Sequence, residues 1–360
     1  MGSPPFTSMT RSRERRLLAQ RRRRRRRAIF GAAAATAVVV AVLLGVAFVG
    51  GNSEPRGAPR TAVHHGPASA PAKLSADGLP LATPAVALGG LSSPSLDPIR
   101  LAFARPPRSG LLFNLQSGQV LWQRHPLERV RIASLTKMMT ALLTVEHSTP
   151  RERVLISRRA ADMPGSKVGV LPVGHHVRLE TLLYGLLLPS GNDAAVALAE
   201  HVSHRVSTFV RLMNTQAAAL GMGCTRYSSP SGYYDHGNFS CAADLAMLAR
   251  EDIHQPRIAR VTHTLSAALP FPTKGGKLFL YNNNPLLIYH YPGTTGLKTG
   301  FTEAAGRCLV ATAERDGVRL GVVILHSSEP GRQARALLNR GFEDVYHLPP
   351  VHEAEMPPGA

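Results

Sequence analysis

Cysteine is scarce in this sequence, and its scarcity excludes two classes of protein. The 360 residues contain only Cys224, Cys241 and Cys308, too few for a disulfide framework. None of them has a histidine or aspartate arranged to activate a thiol, which argues against cysteine catalysis. An odd count permits one internal disulfide, and Cys224 and Cys241 are the expected pair because a turn-rich segment separates them. Cys308 lies in an apolar strand pattern and is expected to be buried.

Patterns of metal ligands are equally sparse. His201 and His204 are three residues apart in a predicted helix, but no carboxylate or third ligand stands at a known motif spacing. We therefore expect a solvated helix face at these histidines. The sequence predicts no metal and no cofactor.

Acidic residues are few as well, since 23 Asp and Glu stand against 42 Lys and Arg and leave a net charge of +19. The excess is uneven, because residues 1–27 hold eleven arginines and a single glutamate. Directly after this run, residues 28–50 carry no charge and are long enough to cross a bilayer as a helix. Arginines beside a span indicate a cytoplasmic tail and export of everything that follows. Because membrane orientation already accounts for the arginine run, we expect no nucleic-acid partner.

The predicted membrane span, residues 28–50, could be either cleaved or retained. Small residues at 45–47 would permit cleavage by a signal peptidase, which would release a secreted protein. Retention is favoured, because the apolar stretch exceeds a usual signal segment and no cysteine follows that could carry a lipid. The sequence thus predicts a single-pass protein of the cell membrane, anchored by its N-terminal helix, with an extracytoplasmic catalytic domain.

Composition divides the exported part into three segments. Residues 51–105 are rich in proline, alanine, glycine and serine and indicate a linker. Residues 106–345 carry the organised patterns of a folded domain, and residues 346–360 read as a flexible tail.

Strand patterns occur at both ends of the predicted domain. A hairpin pattern covers residues 111–122, three strand patterns follow between residues 298 and 326, and a helix is predicted over 332–341. The region between has helical apolar spacing. This order predicts an α/β (α+β) domain, in which an antiparallel sheet is flanked by helices and carries an inserted all-helical subdomain.

Three short motifs point to one kind of chemistry: Ser134-Leu-Thr-Lys137, Ser190-Gly-Asn192 and Lys298-Thr-Gly300. On a helix, Ser134 and Lys137 would share one face a turn apart. A lysine can accept a serine proton only when burial and nearby cations lower its pKa, and Lys298 could be such a cation. Each motif alone is common, but their order indicates an activated serine in a cleft beside the sheet.

The sequence around these motifs resembles the serine-type D-alanyl-D-alanine carboxypeptidases, penicillin-binding proteins of low molecular mass that are related to serine β-lactamases. The resemblance rests on residues 133–140, 186–195, 296–302 and 305–312, and it extends over roughly residues 106–345. It implies a β-lactamase/transpeptidase-like fold. The implied partners are peptidoglycan stem peptides that end in D-Ala-D-Ala, and β-lactam antibiotics.

The same resemblance implies a role for each motif residue. It assigns Ser134, Lys137, Ser190 and Asn192 to catalysis, and Lys298, Thr299, Gly300 and Phe301 to substrate binding. Ser134 would form an acyl-enzyme while Lys137 takes its proton, and Lys298 and Thr299 would meet the terminal carboxylate. Backbone N–H groups of Ser134 and Phe301 would form the oxyanion hole.

Two other functions are disfavoured. A β-lactamase of this kind relies on a Glu-x-x-x-Asn element, whereas Glu200 and Glu251 are followed by His204 and Gln255. A non-catalytic module that recognises penicillin or cell wall would not need Lys137. Carboxypeptidase and endopeptidase activity stay open, because both use the same acylation step. Arg332 could contact a carboxylate, although a solvated helix face is the favoured interpretation.

Overall fold

Most of the chain from Asp97 to Val351 is described by the computed structural model. The described residues are 88, 89, 91, 97–234, 236–273 and 275–351. The predicted cytoplasmic tail and membrane span lie outside them, as do most of the linker and the end of the C-terminal tail. Among the described residues, no helix is both long and apolar enough to cross a membrane.

A five-stranded antiparallel sheet organises the domain. Its strands are β1 (Ser109–Asn114), β2 (Val120–Arg124), β7 (Thr294–Thr302), β8 (Gly306–Arg315) and β9 (Val318–Ser327). They lie in the order β2-β1-β9-β8-β7. Strand β1 pairs with β9 along its whole length, with Ser109 opposite Leu325 and Asn114 opposite Leu320. The two ends of the domain therefore share one sheet, as predicted.

Helices lie on both faces of this sheet and make up most of the insertion between β2 and β7. They are α1 (Lys137–Glu146), α2 (Arg158–Ala161), α3 (Leu179–Leu187), α4 (Asn192–Ser203), α5 (Val206–Ala219), α6 (Ala242–His254), α7 (Pro256–His263), α8 (Pro285–Ile288) and α9 (Pro330–Arg340). Val310 and Val323 face the core that α1 and α6 share, while Leu309 and Val322 pack with Leu337 of α9. Because both faces are buried, β8 and β9 are apolar almost throughout.

The insertion between β2 and β7 differs from the all-helical subdomain that the sequence predicts. It also contains two antiparallel pairs, β3 (Arg153–Leu155) with β4 (His176–Arg178) and β5 (Ser266–Pro270) with β6 (Lys277–Tyr281). The first pair has three-residue strands, too short for a period to be recognised. In β6, Leu278 and Leu280 are buried, and the exposed residues between and after them are the aromatic Phe279 and Tyr281. The alternation of apolar and polar residues that would predict a strand is therefore absent there.

The structure confirms the predicted disulfide and the predicted burial of the third cysteine. Cys224 and Cys241 form a disulfide, with 5.7 Å between their Cα atoms, and Cys308 is free and buried in β8. The disulfide joins the segment that follows α5 to the residue preceding α6. The disulfide therefore closes a loop between two residues that are 17 positions apart in the sequence, beside the helical core.

Reduction of this disulfide is expected to lower the free energy of unfolding by about 3 kcal/mol, because the bond restricts a loop of this size in the unfolded chain. The measurement is urea-induced unfolding with and without a reductant. A double variant, Cys224→Ser with Cys241→Ser, is the control and should not respond to the reductant. Equal midpoints for the oxidised and reduced parent protein would contradict the prediction.

Candidate active site

Ser134 lies in a tight turn that leads directly into α1. Residues Ala133–Thr136 form one turn of 3-10 helix, and α1 begins at Lys137. The sequence predicts the side chains of Ser134 and Lys137 on one α-helix, whereas in the structure Ser134 lies in the turn before that helix. Since residues three apart eclipse one another in a 3-10 turn, the two groups still meet, and Ser134 Oγ lies 2.8 Å from Lys137 Nζ.

The amine of Lys137 is buried among oxygen atoms. Its side chain is 0% exposed, and Nζ lies 2.8 Å from Asn192 Oδ1 and 2.8 Å from the carbonyl oxygen of Ser231. Burial, and then the nearby charge of Lys298, hold the pKa of Lys137 well below its usual value, and the charge of Asp193 acts in the opposite direction. This setting therefore favours the uncharged form of the amine.

A neutral amine matches this set of partners. It has two N–H groups, which can donate to the two carbonyl-type oxygens of Asn192 and Ser231, neither of which can donate in return. Its lone pair then points to the third neighbour, and the Ser134 hydroxyl can donate its proton there. This arrangement is what a serine needs to become a nucleophile.

Ser190 and Asn192 come from the loop between α3 and α4. Ser190 has a left-handed backbone with φ of 67°, and its buried hydroxyl has no hydrogen-bond partner within the described structure. Asn192 is the first residue of α4, and its Nδ2 donates to the carbonyl of Pro164 at 2.7 Å. The strained serine thus leaves a free hydroxyl beside the nucleophile, where it could relay a proton.

The third motif lies on β7. Lys298 is 1% exposed, and its Nζ donates to the carbonyl of Thr299 at 2.9 Å. Burial lowers the pKa of Lys298 to about 7. Thr299, Gly300 and Phe301 follow along the strand and face the cleft, with Phe301 63% exposed.

Close backbone contact requires glycine where β7 passes the Ser134 turn. A Cβ at Gly300 would lie 2.9 Å from the carbonyl oxygen of Ile132 and 3.2 Å from the backbone nitrogen of Ser134. Gly232, with φ of 69°, packs so tightly on the same turn that a Cβ would overlap the carbonyl of Ala133. Ser134 is thereby fixed between two backbone segments.

A cleft of about 390 Å³ opens at this junction. Five residues predicted from the sequence line it: Ser134, Ser190, Thr299, Gly300 and Phe301. Lys137, Asn192 and Lys298 lie beneath its surface. The sequence reasoning missed Ser166 and Asn283, which also line the cleft, and the carbonyl of Ser231. The carbonyl of Ser231 could not be recognised, because a backbone acceptor has no sequence signal. The run Asn282-Asn283-Asn284, by contrast, could have indicated a polar segment of the cleft.

The other candidate residues take no part in this cleft. His201 pairs with Glu152, with 2.7 Å between Nε2 and Oε2. Among the described residues, one cluster has metal-ligating types in reach of one another, Cys224, Cys241 and Asp244, and its two thiols are consumed by the disulfide. Arg332 lies near Glu329, at 3.7 Å, and its side chain is largely exposed.

A mixed sheet-and-helix domain that brings a buried Ser–Lys pair together with the Ser190-Gly-Asn192 and Lys298-Thr-Gly300 motifs is typical of the β-lactamase-like serine hydrolases. Comparisons with known proteins narrow this class. The family model of the D-alanyl-D-alanine carboxypeptidases matches residues 106–329. The chain belongs to the D-alanyl-D-alanine carboxypeptidase family.

Individual relatives agree with this assignment. D-alanyl-D-alanine carboxypeptidase DacF of Bacillus subtilis is 34% identical over 258 residues, which are 69% of this chain and 65% of that protein. DacB2 of Mycobacterium tuberculosis is 35% identical over 66% of this chain and 82% of that protein. The crystal structure of the Streptomyces K15 DD-transpeptidase is 30% identical, with a TM-score of 0.63, and covers 68% of this chain and 99% of that one. The match thus spans slightly less than two thirds of the Bacillus relative.

Burial of Lys298 should make stability depend on pH. Its pKa is about 7 in the folded protein and about 10.4 in the unfolded chain. Between these values the unfolded chain binds the proton and the folded protein does not, so the parent gains stability as pH rises through this window. Lys298→Met should lack that gain.

The measurement is urea unfolding of parent and Lys298→Met at pH 7 and pH 9.5. The free energy of unfolding of the parent should increase relative to the variant at the higher pH. Lys167→Met removes an exposed lysine and should show no such change. A difference between parent and Lys298→Met that stays constant with pH would refute the assigned burial effect.

Proposed function

We propose that this chain is a serine-type D-Ala-D-Ala carboxypeptidase that removes the terminal D-alanine from peptidoglycan stem peptides. One observation carries the proposal: the amine of Lys137 lies 2.8 Å from Ser134 Oγ, in a buried setting that lowers its pKa and so favours its neutral form. A serine with such a neighbour can attack an amide carbonyl at neutral pH. Membership of the D-alanyl-D-alanine carboxypeptidase family supports the substrate class.

Acylation would proceed through the three motifs. Ser134 Oγ forms a bond to the carbonyl carbon between the two D-alanines while its proton passes to Lys137. The amide C–N bond then breaks, and the proton reaches the leaving D-alanine amine through the hydroxyl of Ser190, with Asn192 holding Lys137. Water subsequently cleaves the ester, which releases the shortened peptide and restores the serine.

Substrate binding would use β7 and the turn before α1. The ammonium form of Lys298 and the hydroxyl of Thr299 attract the terminal carboxylate. The backbone N–H groups of Ser134 and Phe301 would stabilise the oxyanion, and the close approach of Gly300 to the Ser134 turn supports this arrangement. The same groups would accept the carbonyl and carboxylate of a β-lactam.

The domain plan proposed for the whole chain follows from the sequence. Residues 1–27 would form a cytoplasmic tail, residues 28–50 a membrane anchor and residues 51–105 a linker. The catalytic domain, predicted over residues 106–345, would then act outside the cell on the wall. Ile99 and Leu348 also pack on its sheet, so these two residues are not part of the linker and of the flexible tail that the sequence predicts over residues 51–105 and 346–360. A flexible linker would set how far the cleft reaches from the membrane.

Neither disfavoured function gains support from the cleft. The two glutamates considered for β-lactamase-type deacylation are absent from its lining. Glu200 instead accepts a hydrogen bond from Ser157 at 2.5 Å, and Glu251 is exposed. A module that only binds would also have no use for a buried neutral lysine, whose desolvation is costly.

The test is release of D-alanine from a peptide that ends in D-Ala-D-Ala, measured for the parent and for Ser134→Ala. The parent should release D-alanine and react with fluorescent penicillin, whereas Ser134→Ala should do neither, because no acyl-enzyme can form. Ser207→Ala, on the exposed side of α5, is the matched control and should retain both. Release by Ser134→Ala would contradict the proposed nucleophile, and labelling of the parent without release would favour a binding module.

A further inference from the structure

One wall of the cleft is an exposed loop, residues 164–169, called here the 164–169 loop. Ser166 of this loop lines the same cavity as Ser134 and Ser190. The loop lies outside any helix or strand, and Gly165 and Gly169 have left-handed backbones with φ of 79° and 86°. Val168 alone among the six residues of the loop is partly buried against the core, and the other five are exposed, so the position of the loop depends largely on specific hydrogen bonds.

Asp193 supplies two of those bonds from beneath. Its side chain is 0% exposed. Oδ1 accepts from the backbone N–H of Val168 at 2.9 Å, and Oδ2 accepts from that of Gly169 at 2.9 Å. Oδ1 also accepts from Ala194 at 2.8 Å, in the first turn of α4. No basic side chain of the described residues forms an ion pair with this carboxylate, so its hydrogen bonds come from backbone N–H groups.

The neighbouring residue joins the loop to the amine of Lys137. Asn192 accepts from Lys137 through Oδ1, and through Nδ2 it donates to the carbonyl of Pro164. Its backbone N–H donates to the carbonyl of Ser166 at 2.7 Å. Two consecutive residues therefore fix both the loop and the general base proposed above.

We propose that Asp193 is a positioning residue that holds the 164–169 loop, and with it Ser166, as a preformed wall of the substrate cleft. The inference rests on the proposed function, since it assigns this wall to the binding of the same substrate. A fixed wall lowers the cost of ordering the loop around a bound peptide. Loss of the carboxylate should therefore weaken substrate binding more than it slows the bound complex.

The charge of Asp193 adds a signature that a purely structural residue would not have. Among the charged groups near Lys137, Lys298 on β7 lowers its pKa and Asp193 on α4 raises it. Of the charged groups on the other helices packed on α1, Glu251 acts on Glu146 at its far end and Arg257 binds the carbonyl of Ser148. Neither these groups nor Asp244 and Arg250 of α6 contribute to the pKa shift of Lys137. Removal of the Asp193 charge should therefore lower the pKa of Lys137 further.

Asp193→Asn is the central variant. An amide can accept from one loop N–H but not satisfy both, and it carries no charge. KM for a D-Ala-D-Ala peptide should rise about tenfold, with a smaller change in kcat. The acid limb of acylation by fluorescent penicillin should move to lower pH, because Lys137 becomes neutral there earlier. Asp193→Glu, which keeps the charge, should raise KM while the acid limb stays in place.

Asp244→Asn is the matched control. Asp244 is also a buried carboxylate in the first turn of a helix, where it accepts from the backbone of Cys224 and from Thr225 Oγ1, and it does not shift the pKa of Lys137. This variant should leave the acid limb unmoved. Equal acid limbs in the parent and Asp193→Asn, or the same shift in Asp244→Asn, would overturn the inference.

Hydrogen exchange gives a readout that does not require activity. Peptides that cover the 164–169 loop should exchange faster in Asp193→Asn than in the parent, while those of α1 should be unchanged. Unchanged exchange in the loop would overturn the positioning role, even in a protein that releases D-alanine. An inactive parent with faster loop exchange in the variant would instead sink the proposed function and leave the anchoring of the loop established.

Discussion

The contact between Lys137 Nζ and Ser134 Oγ places the strictest demand on this fold, because the amine can take a proton from the serine only in its neutral form. The two carbonyl-type oxygens of Asn192 and Ser231 suit a neutral amine, since each accepts one N–H and neither supplies a negative charge. Desolvation then does most of the work of lowering the pKa of the lysine, with Lys298 as the second cause. The remaining hydroxyl neighbour is the serine.

The rest of the domain can be understood as support for that contact. Strand β7 carries Lys298 into the interior because the sheet pairs it with β8 and the helices cover both faces. Burial lowers the pKa of both lysines, and that of Lys298 is about 7, so Lys298 can retain a charge near neutral pH. The proposed function assigns the role of base to Lys137 and the attraction of the carboxylate to Lys298. Glycines at 232 and 300 allow the surrounding backbone to close on the serine.

Much of this arrangement could be predicted from the sequence. Strand patterns at the two ends of the domain indicated a shared sheet, and the pairing of β1 with β9 confirms it. The motifs indicated which side chains would converge, because residue type and order carry that information. The 3-10 turn at Ser134 and the carbonyl of Ser231 could not be predicted, since both depend on backbone conformation set by tertiary packing. The 164–169 loop was missed for a related reason: its role depends on which buried acceptor meets its N–H groups.

The central claim is that Lys137 is neutral in the resting protein at neutral pH. Its most direct test is an NMR titration of the protein labelled with ¹⁵N at the lysine side chains, with Lys137 assigned by comparison with Lys137→Arg. The Nζ resonance of Lys137 should have the chemical shift of a free amine at pH 7 and should move to that of an ammonium only on acidification. An ammonium shift that persists at pH 7 and above would show that the lysine is charged and cannot take the proton of Ser134.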